Sequence, residues 1–218
     1  MRIPVARDGF LPIKIFCGLT LAFYIIGYQF KPLYILSGIS FLLTLFTVYF
    51  FRDPERKITE GKNCILSPAD GKILDIRKEN HEFLNSPAQV IKIFMSPLNM
   101  HVQRSPVDGA VILVKYQPGL FLRAYREEAA EKNEQNIIGI EARFDNASKV
   151  RVLVKQIAGI LARRIVCWSR EKDIVCKGAR LGLIKFGSQV DIYLPDNIKL
   201  KVQKGDKVKA GITIIGEV

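Results

Sequence analysis

Ser188, His101 and the aspartates of two matched turns, Asp70 and Asp108, are the side chains around which chemistry can be built in this chain. A hydroxyl becomes a nucleophile beside a base, and an imidazole or a carboxylate supplies one. Ser188 stands in IKFGSQVDIYLP (184–195), where Val190, Ile192 and Leu194 alternate with Gln189, Asp191 and Tyr193 as in a half-buried strand. Gly187 sits just before it, where a strand gains nothing from glycine, and reads as a bulge or bend. Of the two histidines, His81 lies in the polar loop RKENHEFLNS and reads as solvated. His101 follows an apolar strand (Val90 to Met95) and a Ser96-Pro97 break, so it occupies a short connection of the kind where sites are built. Asp70 and Asp108 lie in two matched turns, SPADGKILDI from Ser67 and SPVDGAVILV from Ser105. Nucleophile, base and orienter suggest a serine hydrolase, but the G-x-S-x-G elbow is absent.

Those turns define the body that must position the site. Each is a Pro/Asp/Gly turn running into an apolar strand, so the domain is built partly from a duplicated turn-strand unit. A third relative, VQKGDKVKAGITIIGEV, closes the chain and is similar to the last hairpin of biotinyl and lipoyl carrier domains. The expected fold is mainly β: a sandwich of short strands with barrel-sandwich-like duplicated units, preceded by an α-helical membrane hairpin. Strands are expected near 63–66, 72–77, 88–95, 110–116, 138–144, 150–157, 164–168, 181–194 and 198–215, the last two with turns inside. REEAAEKNEQ (126–135) reads as a short helix or a polar loop. Cys17, Cys64, Cys167 and Cys176 form no CxxC pair and read as buried thiols in a reducing compartment, with no metal site.

Two apolar stretches precede this body, Ile15 to Phe30 and Leu33 to Phe51. At 1.5 Å per residue they reach about 24 Å and about 28 Å, the second close to the hydrocarbon thickness of a bilayer. No small-x-small cleavage site separates them, which argues against a removable signal. Arg2, Arg7 and Lys14 lie before the pair and Arg52, Arg56 and Lys57 after it, so by the positive-inside rule both ends face the cytoplasm. A re-entrant or interface-lying pair leaves the same end charges. The division expected is 1–57, a membrane-anchoring hairpin with its basic flank, and 58–218, the catalytic β-rich domain. Of the net charge of +12, residues 1–57 carry +4 and the remainder +8. A basic domain at a cytoplasmic membrane face meets anionic phospholipid headgroups. Nucleic acid is set aside, because KLKVQKGDKVKAG has no interleaved aromatics for base stacking.

Six segments taken in order, FFRDPER, SPADGKI, SPLNMHVQRSPVDG, PGLF, QIAGILARRIVC and GLIKFGSQVDIYLP, resemble the short form of the phosphatidylserine decarboxylase family, pyruvoyl-dependent enzymes made as proenzymes. The resemblance covers the chain from Phe50 onward, and the Gly-Ser pair is its most specific element. It implies that the protein cuts its own Gly187–Ser188 bond. Ser188 Oγ attacks the Gly187 carbonyl, an N-to-O shift gives an ester, β-elimination severs it, and hydrolysis of the dehydroalanine leaves a pyruvoyl group at 188. Glycine suits the carbonyl side because no Cβ obstructs attack. The resemblance carries Asp70 over as the base.

The resemblance further implies that the pyruvoyl group is the covalent cofactor for converting phosphatidylserine to phosphatidylethanolamine, through a Schiff base to the headgroup amine. His101 is the acid that protonates the product carbanion, and Asp108, which matches no family site, is a turn former. Longer family members place a second histidine three residues after the first, where this chain has Arg104. Either Asp70 acts with Arg104 holding it or stabilising the oxyanion, or His101 substitutes as the base. Phe121 and Leu122 in PGLFLRAY are the candidates for contact with the acyl chains. The processed large and small chains are expected to stay associated, at the cell membrane and compatibly with several copies assembling. Two readings compete: a membrane-tethered biotinyl or lipoyl-like adaptor, and an unprocessed pseudoenzyme of the same fold.

Overall fold

Apolar residues dominate both N-terminal segments, and each forms an 18-residue helix in this computed structural model, α1 (Phe10–Gly27) and α2 (Leu33–Phe50). The structure describes residues 4–61, 63–84, 86–122, 132–144, 149–159, 164–185 and 188–218, with only the backbone of Ser188. Helix α1 begins five residues before the apolar stretch does, with Pro12 in the first turn, where a missing N–H costs no helical bond. The two helices are therefore equal in length, about 27 Å each, and both are long and apolar enough to cross a membrane. A polar seam joins them. Ser37 Oγ donates to the Thr20 carbonyl and Ser40 Oγ to the Phe16 carbonyl, both at 3.0 Å. Such bonds hold helices together where lipid offers no competing water.

The chain divides into two units, Met1–Glu55 and Arg56–Val218. The second is almost wholly β, as the period-two patterns predict. Its first strands are β1 (Cys64–Leu66), β2 (Gly71–His81), β3 (Ser86–Met95), β4 (Val102–Arg104) and β5 (Gly109–Gln117). The next are β6 (Gln135–Arg143), β7 (Lys149–Ala158), β8 (Ile165–Cys167), β9 (Ile174–Val175) and β10 (Arg180–Ile184). β11 (Ser188–Pro195), β12 (Lys199–Leu200), β13 (Lys207–Val208) and β14 (Ile214–Glu217) complete the set. Eight strands form one curled sheet in the order β13-β2-β3-β11-β7-β6-β5-β9, and two three-stranded sheets, β1-β14-β12 and β4-β10-β8, complete the fold. The core joins Ile73, Ile91, Ile93, Val152, Val154, Val190 and Ile192 of the large sheet to Ile65, Leu181 and Ile215 of the small ones.

The duplicated turns obey a local two-fold relation. Leu66 N donates to the Pro106 carbonyl and Arg104 N to the Pro68 carbonyl, so the copies bond reciprocally. Ser67 exchanges backbone bonds with Thr213 and Gly211, and Ser105 does the same with Ala179 and Gly178. Gly178 and Gly211 both adopt a positive φ, +79° and +71°, which favours glycine at each. Asp70 accepts from Ala210 N and Asp108 from Lys177 N, each carboxylate closing its own turn.

Several expectations are corrected. β11 is buried on both faces, since Gln189, Asp191 and Tyr193 are as covered as Val190 and Ile192. Its second face packs with Leu84, Ala88, Val90 and Leu153, a cluster the alternation did not reveal. His81 ends β2, half-buried, with its ring edge-on to Tyr193 at 4.8 Å between centroids. Burial, and then the nearby Lys155 charge, lower its pKa. Cys17 and Cys176 are exposed, whereas Cys64 is buried. The 198–215 segment keeps only short strand pieces. Most of the 126–135 segment lies outside the described residues, and Gln135 opens β6.

Candidate active site

Ser188 is the first residue of β11, and its backbone stands in register with Met95 on β3 and with Ala158 on β7. Gly187 and the Ser188 side chain lie outside the described residues. Position 188 thus has a paired strand on each side of it.

His101 arrives from the β3 side. After Met95 the chain turns through 96–100, held by the Asn99 side chain accepting from Ser96 N at 2.8 Å and by Ser96 Oγ accepting from Leu98 N at 3.2 Å. This turn delivers a wholly buried imidazole. Its Nδ1 lies 2.9 Å from the Asn99 carbonyl, which can only accept, so Nδ1 carries a proton and Nε2 is the nitrogen that gains and loses one. The His101 carbonyl accepts from Ile184 N at 3.3 Å, four residues before Ser188 in sequence. It also accepts from Gln103 Nε2 at 2.8 Å, and that same nitrogen lies 3.5 Å from Met95 Sδ, so Gln103 links His101 to the register partner of Ser188.

Asp70 precedes β2, on the far side of β3 from Ser188. Its carboxylate is gripped at both oxygens by Arg56, Nη1 to Oδ1 at 2.7 Å and Nη2 to Oδ2 at 2.8 Å. Oδ1 also accepts from Ala210 N at 2.8 Å. Among the described residues Oδ2 accepts one bond, which leaves it a lone pair for another proton. Arg56 further reaches the Ala210 carbonyl and Met100 Sδ, the residue before His101. The two-fold related Asp108 is exposed, so burial and the Arg56 clamp distinguish Asp70 from its repeat. Arg104, also buried, donates from Nη1 to the Gly178 carbonyl at 3.0 Å.

Phe121 and Leu122 approach from the β7 side. Asn133, itself buried, accepts from Leu122 N at 2.8 Å and donates to the carbonyls of Leu122 and Ala158. Phe121 is exposed, as is Leu98 in the turn before His101.

Sequence reasoning missed Arg56, which it counted with the basic flank of the hairpin, and a chain of buried amides. Asn136 donates to Gln156 at 2.8 Å, and Gln156 to Gln103 at 2.8 Å. A signal for these existed. Gln156 continues the inward parity of Val152 and Val154, and Asn136 that of Ile138 and Ile140, so each is a polar residue at a core position.

A family model described as phosphatidylserine decarboxylase matches residues 43–216. Among curated relatives, the phosphatidylserine decarboxylase proenzyme of Desulfotalea psychrophila is 43% identical over 218 residues, all of this chain and 98% of that one. The proenzyme of Chlorobium phaeobacteroides is 49% identical over 177 residues, 81% of each chain. That of Syntrophus aciditrophicus is 41% identical, over 97% of this chain and 96% of its own.

Proposed function

This chain belongs to the phosphatidylserine decarboxylase family, and from that premise we infer that it is a pyruvoyl-dependent carboxy-lyase that makes phosphatidylethanolamine and carbon dioxide from phosphatidylserine. The observation that carries the reading is the placement of Ser188 as a strand's first residue, in register on both sides, with the buried His101 linked to its partner Met95. A prosthetic group generated at that position suits these surroundings, since the ladder retains residue 188 after the cut. When present, the pyruvoyl ketone binds the substrate amine and accepts the electrons released as carbon dioxide leaves.

The chain's own residues divide the work. Asp70, oriented by Arg56 and Ala210 N, takes the Ser188 hydroxyl proton as that oxygen attacks the Gly187 carbonyl. Cutting leaves residues 1–187 and 188–218, joined by hydrogen bonds and buried side chains alone. His101 then delivers a proton from Nε2 to the decarboxylated carbon. Leu98 and Phe121, with Leu122 behind, enter the bilayer surface so that the headgroup reaches 188 while the acyl chains stay in lipid. The helical hairpin keeps the catalytic domain at the cytoplasmic face of the membrane, where its positive charge meets anionic lipid.

Purified full-length protein in mixed micelles should release carbon dioxide in equal amounts with phosphatidylethanolamine. His101→Ala should still cut itself yet turn over at least about 100-fold more slowly, the scale of a lost general acid. If His101→Ala stays uncut, the imidazole is the processing base and the assignment of Asp70 is wrong.

A further inference from the structure

Burying three amides in one core is costly unless they work as a unit. Asn136, Gln156 and Gln103 are each at most 2% exposed and belong to three different strands, β6, β7 and β4. Their bonds run in one direction, Asn136 Nδ2 to Gln156 Oε1, Gln156 Nε2 to Gln103 Oε1, and Gln103 Nε2 to the His101 carbonyl, each 2.8 Å. Direction matters. Because Gln103 Oε1 is taken by an N–H of Gln156, the Gln103 amide cannot flip, and its NH2 end must face the His101 carbonyl and Met95 Sδ. The fold makes room for this at Gly182, where a Cβ would lie 2.9 Å from Gln156 Nε2.

We propose that Gln103 is a positioning residue for decarboxylation: held by Gln156 and Asn136, its amide fixes the His101 main chain against Met95, so that the imidazole meets the substrate's decarboxylated carbon where it is held at position 188. The inference rests on the reading of His101 as the proton donor. It predicts a role in turnover and none in self-cleavage, which Asp70 and Arg56 serve from the other side of β3.

Two substitutions test it in the full-length protein. Gln103→Met keeps the length and removes the amide; it should cut completely, keep its KM, and lose about 10- to 100-fold in kcat, the scale of a misplaced catalytic group. Gln103→Glu supplies a group that matches the amide only when protonated, when its O–H donates to the His101 carbonyl and its C=O accepts from Gln156. Its kcat relative to wild type should therefore recover as pH falls, which a packing role would not produce. Wild-type kcat in Gln103→Met, or an uncut Gln103→Met chain, overturns the proposal. If Gln103→Met is insoluble, a pH-independent defect in Gln103→Glu overturns it instead. His101→Ala run in parallel separates the premises: undiminished turnover there removes the proton-donor reading, whereas a slow His101→Ala beside a fast Gln103→Met removes the positioning role alone.

Discussion

Replacing Asp191 with asparagine should remove a pH-dependent handicap from the strand that begins with Ser188. The carboxyl is wholly buried, accepts from Gln189 Nε2 at 2.6 Å through Oδ1, and is in register with Lys92 on β3 and Lys155 on β7. Burial pushes its pKa from 3.8 up to about 6, against the opposing pull of Gln189 and the two lysines. The folded state thus holds the proton that the unfolded chain releases near pH 4, so stability from this group is full at low pH and is lost as pH rises through about 6. At about 1.4 kcal/mol per unit, the loss is about 3 kcal/mol in all, with about 2 kcal/mol of it between roughly pH 4.5 and 7.5. For a domain of this size that is a relative shift of about 4 to 8 °C in Tm. The assay is thermal and urea unfolding in micelles of uncut Ser188→Ala, with and without Asp191→Asn, across that range. The asparagine variant should gain on its parent by about 2 kcal/mol as pH rises, whatever the constant offset from leaving the lysines without a carboxylate. A difference independent of pH, or one moving the other way, would refute the burial argument and show the lysines to dominate.

Three further outcomes are expected. Arg56→Met, by leaving the buried Asp70 carboxylate without its cation, should cost about 3 kcal/mol in denaturant unfolding and slow the appearance of the short chain on denaturing gels; normal stability with normal cutting would contradict the clamp. Removing residues 1–51 should release the domain into solution with self-cleavage intact, and activity should fall more on bilayer lipid than on a short-chain soluble analogue; equal losses would mean that the hairpin does more than anchor. Phe121→Asp together with Leu98→Asp should lower bilayer activity by about tenfold or more and leave the soluble analogue unaffected, as expected if these side chains enter lipid.

The strands were legible where apolar residues alternate with polar ones or run together. β5, β6 and β7 fall within a few residues of their expected positions through alternation, and β3 through its largely apolar stretch from Val90 to Met95. β4 and β9, with three and two residues, carry no such signal and exist only through pairing with β10 and β5. The second buried face of β11 was hidden because polar Gln189 and Asp191 satisfy each other beneath a covering that sequence periodicity does not encode. At the site, His101 could be singled out from its connection and Asp70 and Asp108 as a pair from their turns, the resemblance alone choosing Asp70 between them. Arg56 could not, because fourteen residues separate it from Asp70 and nothing local distinguishes a clamping arginine from one beside a membrane.

The proposed chemistry begins with the chain cutting its own bond between Gly187 and Ser188. Mass measurement of freshly purified, active protein under denaturing conditions tests it directly. Two chains, 1–187 and 188–218, the shorter with a blocked first residue, and one uncut inactive chain for Ser188→Ala, are the expected result. A single intact chain with an ordinary serine at 188 in protein that decarboxylates phosphatidylserine would contradict it.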